Sequence, residues 1–124
     1  MTSILVVEDN PMNMELVTCL LESNGIKVTQ AVDGLEVLDR IRNSLFDLIL
    51  LDIQLPGIGG LEVLKRIKES PASRQIGVVA LTAQALVGDK QRFIDAGCIG
   101  YISKPIDVFR FMDELNTFLG NGKT

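Results

Sequence analysis

The 124-residue sequence predicts a doubly wound α/β domain built around a parallel sheet, and two observations carry that prediction. The first is a series of five short apolar runs: Ile4-Leu5-Val6-Val7, Val28 with Ala31 and Val32, Leu48-Ile49-Leu50-Leu51, Val78-Val79-Ala80-Leu81, and Ile99 with Tyr101 and Ile102. Runs of four rich in branched residues, without polar alternation, fit strands covered on both faces. The second is the helical spacing of what lies between and after them: Leu16, Leu20 and Leu21; Leu35, Leu38 and Ile41; Leu61, Leu64 and Ile67; Leu86, Phe93 and Ile94; Phe111, Leu115 and Phe118. Strand and helix in alternation imply helices on both faces of the sheet, joined by right-handed crossovers. At this length the expected version is the flavodoxin-like (βα)5 order 2-1-3-4-5, whose ligand crevice opens at the carboxyl ends of strands one and three.

Punctuation supports the division. Asn10-Pro11 offers a cap and a first-turn proline to helix one, Gly25 and Gly97 fall where helices one and four should stop, and Asp107 is placed to cap the last helix. Ser70-Pro71-Ala72-Ser73 reads as a loop and Gly120 to Thr124 as a polar tail. With 47% apolar residues and neither linker nor repeat, residues 1–124 are expected to fold as one domain around a core that needs no disulfide or metal.

Composition removes several classes of function. The net charge is -4 and the basic residues are scattered, so direct nucleic-acid binding is not expected. Histidine is absent and no CxxC occurs, which excludes redox motifs, His-containing zinc sites and His-based triads. Cys19 and Cys98 read as reduced cysteines packed as small hydrophobes in a cytoplasmic protein. The N-terminus lacks the pattern of a secretory signal, and the apolar runs are strand-length, so no membrane association is expected. The closing Gly122-Lys123-Thr124 lacks the first glycine of a phosphate loop, because Thr117 stands there.

The residues just past the apolar runs are Glu8 and Asp9, then Asp52, Thr82 and Lys104. In the order 2-1-3-4-5 the strands that carry them are neighbours, so these five side chains should meet on one rim. Like charges about 4 Å apart repel by roughly 4 kcal/mol at an effective dielectric near 20, so three carboxylates there need a cation. Lys104 supplies one charge, and a set of few, oxygen-only ligands suits magnesium better than zinc for the rest. Taken singly, Asp and Thr commonly end strands as turn formers, and a lone lysine is commonly solvated. It is the five together, each after an apolar run and each suited to one part of phosphate handling, that point to a site.

The stretches VVEDNPMN, LILLDIQLPGIGGLEV, ALTAQA and YISKPI, in that order, closely resemble the CheY-like receiver domain of two-component response regulators, over essentially the whole chain. Within that family the phrasing is most similar to DivK-type single-domain regulators. The resemblance implies that Asp52 takes a phosphoryl group from a phosphohistidine on a sensor histidine kinase or a histidine phosphotransfer protein. It implies Mg2+ held by Asp9, Asp52, the Gln54 backbone carbonyl and, partly through water, Glu8. Lys104, aimed by a cis bond to Pro105, would pair with Asp52 at rest and with a phosphoryl oxygen afterwards, while the Thr82 hydroxyl and the Ala83 backbone amide meet the others. Tyr101 would be the readout, switching the surface of helix four, strand five and helix five for a downstream protein target. Gln54 and Gln84 would border the path of the hydrolytic water. Such a protein is a signalling phosphoacceptor that assists its own phosphorylation and dephosphorylation, not an enzyme, and is expected as a monomer or weak dimer.

Phe109 and Phe111 cannot share one helix face, so if Phe111 packs inward Phe109 looks outward, toward solvent or a partner. Met12 and Met14 either meet a kinase helix pair or close the top of the core. Gly59 departs from the Asp, Asn or Ser usual in the family and removes a side-chain cap from helix three. Three competitors fit less well. A haloacid-dehalogenase-type hydrolase needs a second aspartate where Gln54 stands, a flavodoxin would have its FMN phosphate repelled by Glu8-Asp9, and a non-phosphorylated adaptor would be expected to lack part of the five-residue set.

Overall fold

The computed structural model describes residues 2–55, 59–83 and 89–119. The elements alternate as expected: β1 (Ser3–Val7), α1 (Pro11–Glu22), β2 (Lys27–Ala31), α2 (Gly34–Asn43), β3 (Leu48–Asp52), α3 (Gly60–Glu69), β4 (Gly77–Thr82), α4 (Asp89–Ala96), β5 (Gly100–Ser103) and α5 (Phe111–Leu119). The strands form one parallel sheet in the order β2-β1-β3-β4-β5.

Successive residues of a strand point to opposite faces, and the apolar runs feed two cores in that way. Leu5, Val7, Ile49, Leu51, Val78 and Ala80 face α2, α3 and α4, meeting Val37, Ile41, Val63, Leu64, Ile67 and Phe93. Ile4, Val6, Leu48, Leu50, Val79 and Leu81 face α1 and α5, meeting Met14, Val17, Leu21, Phe111 and Leu115. All five residues of the central strand β3, Asp52 included, are buried.

The helix ends follow their local chemistry. Asn10 accepts hydrogen bonds from the amides of Met12 and Asn13 and caps α1, with Pro11 at its first position. Gly25 and Gly97 both have positive φ, +77° and +116°, and end α1 and α4 in the left-handed conformation that a side chain would resist. Gly59 stands at the N-cap of α3 and makes no side-chain cap hydrogen bond. Asp107 acts one turn earlier than expected: its carboxylate accepts from the Phe109 amide, and its carbonyl accepts from the amides of Arg110 and Phe111.

Several packing expectations are corrected. Leu35 is exposed on α2, where Val37 and Ile41 take the buried face, and Ile94 on α4 is partly exposed. Val32 and Ile99 lie outside their strands and are exposed. Other expectations hold: Phe111 is buried and Phe109, 89% exposed, looks outward, and of the two methionines Met14 closes the core whereas Met12 is exposed. Leu86, Gln84 and the tail at 120–124 lie outside the described residues. The two cysteines differ. Cys98 packs in the core as expected, with burial pushing its thiol up to about 11, but Cys19 is exposed on α1. A thiol reagent is therefore expected to label Cys19 in the folded protein within minutes and Cys98 only on unfolding, a difference that mass spectrometry of labelled peptides reads directly.

Candidate functional site

The register brings the strand ends level: Val7 is opposite both Ala31 and Leu51, Asp52 is opposite Leu81, and Thr82 is opposite Ser103. The polar residues that follow the apolar runs thus emerge at one rim. Glu8 is 1% exposed and Asp52 2%, Thr82 is buried, and Asp9 is exposed. Carboxylate oxygens of Glu8, Asp9 and Asp52 all lie within 4.8 Å of one another.

Lys104 lies between the two buried acids. Its Nζ is 3.1 Å from Asp52 Oδ2 and 2.7 Å from Glu8 Oε1, and its side chain is 12% exposed. The Lys104–Asp52 pair matches the expectation, but the closer contact to Glu8 was not anticipated. It is a short ion pair, and because a carboxylate oxygen has more than one lone pair, Glu8 Oε1 keeps acceptor capacity in a buried place. The Lys104–Pro105 peptide is cis, and the Lys104 amide donates to the Thr82 carbonyl at 2.7 Å.

Backbone donors hold the remaining oxygens. The Gln54 amide donates to Asp52 Oδ1 at 2.8 Å, and the Asn10 amide to Glu8 Oε2 at 3.1 Å. Both fixings were missed by side-chain reasoning; an acid two residues before a turn amide is the only signal for them. Burial raises the Glu8 carboxyl above its ordinary value, helped by nearby Asp52 and opposed by Lys104 and the Asn10 amide. Burial alone would lower Lys104, but the carboxylates of Glu8 and Asp52 outweigh it and raise the ammonium.

The other expected residues surround this centre. Ala83 is exposed just past the buried end of β4, and Gln54 sits exposed in the turn after β3. Tyr101 is half-buried in β5 with its ring edge-on to Phe93 of α4, centroids 6.4 Å apart. The donor set fits a small hard cation: oxygen ligands only, three carboxylates in reach of one point, one of them with a spare buried lone pair.

A parallel sheet of this order with an acidic pair, an aspartate, a threonine and a lysine on its carboxyl rim is the layout of a response regulator receiver domain. That family matches residues 4–116, and the chain belongs to it. Its relatives include the polar-differentiation response regulator DivK of Brucella anthropi, 46% identical over 119 residues, covering 96% of this chain and 97% of the relative. DivK of Brucella abortus shows the same identity and coverage. Among solved structures, the receiver domain of a sensor histidine kinase from Pseudomonas aeruginosa, with a magnesium ion coordinated in its active site cleft, is 33% identical with a TM-score of 0.86, covering 96% of this chain and 98% of that one. The chemotaxis response regulator CheY4 of Vibrio cholerae gives 26% and 0.90, covering 96% and 99%. Among the described residues, no helix is long and apolar enough to cross a membrane.

Proposed function

We propose that this receiver domain accepts a phosphoryl group on Asp52 from a phosphohistidine of a sensor histidine kinase or histidine phosphotransfer protein. The observation that supports it best is the pairing of two buried carboxylates, Glu8 and Asp52, with one lysine at 2.7 and 3.1 Å on the rim of the sheet. A buried charge is costly without a partner, and a site that keeps such charges has a use for them.

In the proposed transfer an Asp52 carboxylate oxygen attacks phosphorus, the phosphorus–nitrogen bond of the donor breaks, and its electron pair leaves with the imidazole. An acyl phosphate results. Fixing one oxygen on the Gln54 amide and the other on Lys104 orients the carboxylate, and orientation with charge stabilisation is most of what phosphoryl transfer requires. Lys104 then exchanges its carboxylate partner for a phosphoryl oxygen, and the Thr82 hydroxyl and Ala83 amide receive the others. Asp9, Asp52 and the Gln54 carbonyl, with Glu8 partly through water, would hold Mg2+, which when bound screens the phosphoryl oxygens from the carboxylates. Drawing Thr82 toward the phosphate makes room for Tyr101 to turn inward, which biases the α4, β5 and α5 surface toward a downstream protein. The domain is then a cytoplasmic phosphoacceptor that assists its own phosphorylation and dephosphorylation, monomeric or weakly dimeric. Met12 on α1 and Phe109 before α5 are exposed apolar groups for the donor or target to cover.

Incubation with acetyl phosphate and magnesium tests this reading. One acid-stable, base-labile phosphate per chain is the expected result, and no incorporation under saturating donor would favour a phosphorylation-independent adaptor. Magnesium is also expected to stabilise the fold, by about 2.7 kcal/mol at a hundred times its Kd. Urea titrations with magnesium and with EDTA measure the difference, and coincident curves would remove the metal from the proposal.

A further inference from the structure

Helix α3 begins directly against the acceptor strand. The Gly60 amide donates to the Ile53 carbonyl at 3.2 Å. A Cβ on Gly60 would lie 2.5 Å from Ile53 Cα, 2.6 Å from the Asp52 carbonyl oxygen and 2.8 Å from the Ile53 carbonyl oxygen. All three are backbone atoms, which cannot swing aside as a side chain can. The adjacent Gly59 is different: a Cβ there meets nothing within 4 Å. Of the two glycines, only Gly60 is needed for close approach, and what it approaches is the peptide that carries Asp52.

We infer that Gly60 is a positioning residue for the acceptor site, a role that rests on the function proposed for Asp52. Its missing side chain lets the first turn of α3 sit on the Asp52–Ile53 backbone. Behind it, Val63, Leu64 and Ile67 anchor the helix in the core. The strand side is anchored as well, because the Ile53 amide donates to the Leu81 carbonyl at 3.1 Å. Held between these two anchors, the turn delivers the Gln54 amide to Asp52 Oδ1. A methyl group at position 60 must push either α3 out of its core seat or the Asp52–Gln54 backbone out of line. Moving α3 uncovers apolar surface, so much of the displacement falls on the shorter segment, which carries the acceptor carboxylate and the Gln54 amide and carbonyl.

The test compares the full-length wild type, Gly59→Ala and Gly60→Ala, with magnesium alone and then acetyl phosphate as probes. Magnesium demands near-ideal ligand geometry, and a misplacement of about 1 Å costs on the order of a hundredfold in rate. Gly60→Ala is therefore expected to need at least about tenfold more magnesium for half-saturation and to phosphorylate roughly a hundredfold more slowly, with its folded circular dichroism retained. Gly59→Ala should match the wild type in both. Wild-type magnesium affinity in a Gly60→Ala protein that has only lost thermal stability would overturn the inference, leaving Gly60 a packing residue. If Gly60→Ala does not fold, Val63→Ala, which loosens α3 in its core seat, carries the test: weakened magnesium binding supports the inference and unchanged binding overturns it. A wild type that takes up neither magnesium nor phosphate would instead defeat the function proposed for Asp52.

Discussion

Asp52→Asn is expected to abolish phosphate incorporation from acetyl phosphate and, at the same time, to make the metal-free protein more stable. The first effect follows from losing the nucleophilic oxygen. The second follows from the charges around it. At an effective dielectric near 20, like charges 4.8 Å apart repel by about 3.5 kcal/mol and opposite charges 3.1 Å apart attract by about 5 kcal/mol. Asp52 meets two such repulsions, from Glu8 and Asp9, and one attraction, from Lys104. Solvent screening at exposed Asp9 trims one repulsion, and Asn relieves the desolvation of a buried charge, so a net gain of about 1 to 2 kcal/mol is expected. A higher urea midpoint at unchanged slope would show it. A variant less stable than the wild type would mean that the lysine outweighs the acids and that the site is not a repulsive cluster awaiting a cation.

Lys104→Met is expected to have the opposite effect on stability. It leaves Glu8 and Asp52 buried without their shared cation, and removing one partner of a buried pair typically costs about 3 to 5 kcal/mol. Magnesium should restore part of the loss, since it can supply the missing charge. The pH dependence has a definite sign. The raised Lys104 ammonium contributes stability that is complete below the ordinary lysine value of 10.5 and is lost as the pH rises through its raised value. The wild type should keep its advantage over Lys104→Met up to that alkaline range and lose it beyond. Glu8, raised from 4.5, contributes stability below that value, which is lost as the pH rises through the folded one. Without Lys104 that shift should grow, so the variant should regain stability when acidified from neutrality toward 4.5. Equal sensitivity of both proteins at all pH values would show that Lys104 is solvated rather than paired.

The fold was legible because its central strands β1, β3 and β4 are covered on both sides. Leu48 to Leu51 and Val78 to Leu81 read as continuous apolar runs for the reason that alternate residues serve two different cores. Helix faces were less legible where apolar residues outnumber buried positions: α2 carries Leu35, Val37, Leu38 and Ile41, and tertiary packing selects Val37 and Ile41 over Leu35. Cys19 and Cys98 look alike in sequence, but one lies on the outer side of α1 and the other beneath α3 and α4. At the rim, Glu8, Asp9, Asp52, Thr82 and Lys104 were legible as the residues that end the strands. The Glu8–Lys104 contact was not, because β1 and β5 are not neighbours in the sheet and only the reach of the lysine side chain joins them. Gly60 was hidden for another reason. Two successive glycines suggest a flexible turn, and only the backbone path shows that Gly59 is free while Gly60 lies against Asp52.

The most direct test is to locate the phosphate. After phosphorylation by acetyl phosphate with magnesium, borohydride reduces an aspartyl phosphate to homoserine, and peptide mass spectrometry reads which residue has changed. Homoserine at position 52, absent without magnesium and absent in Asp52→Asn, is the expected result. Reduction at Asp9 or another acid, or an unmodified Asp52 in a protein that carries phosphate, would contradict the assignment of Asp52 as the acceptor.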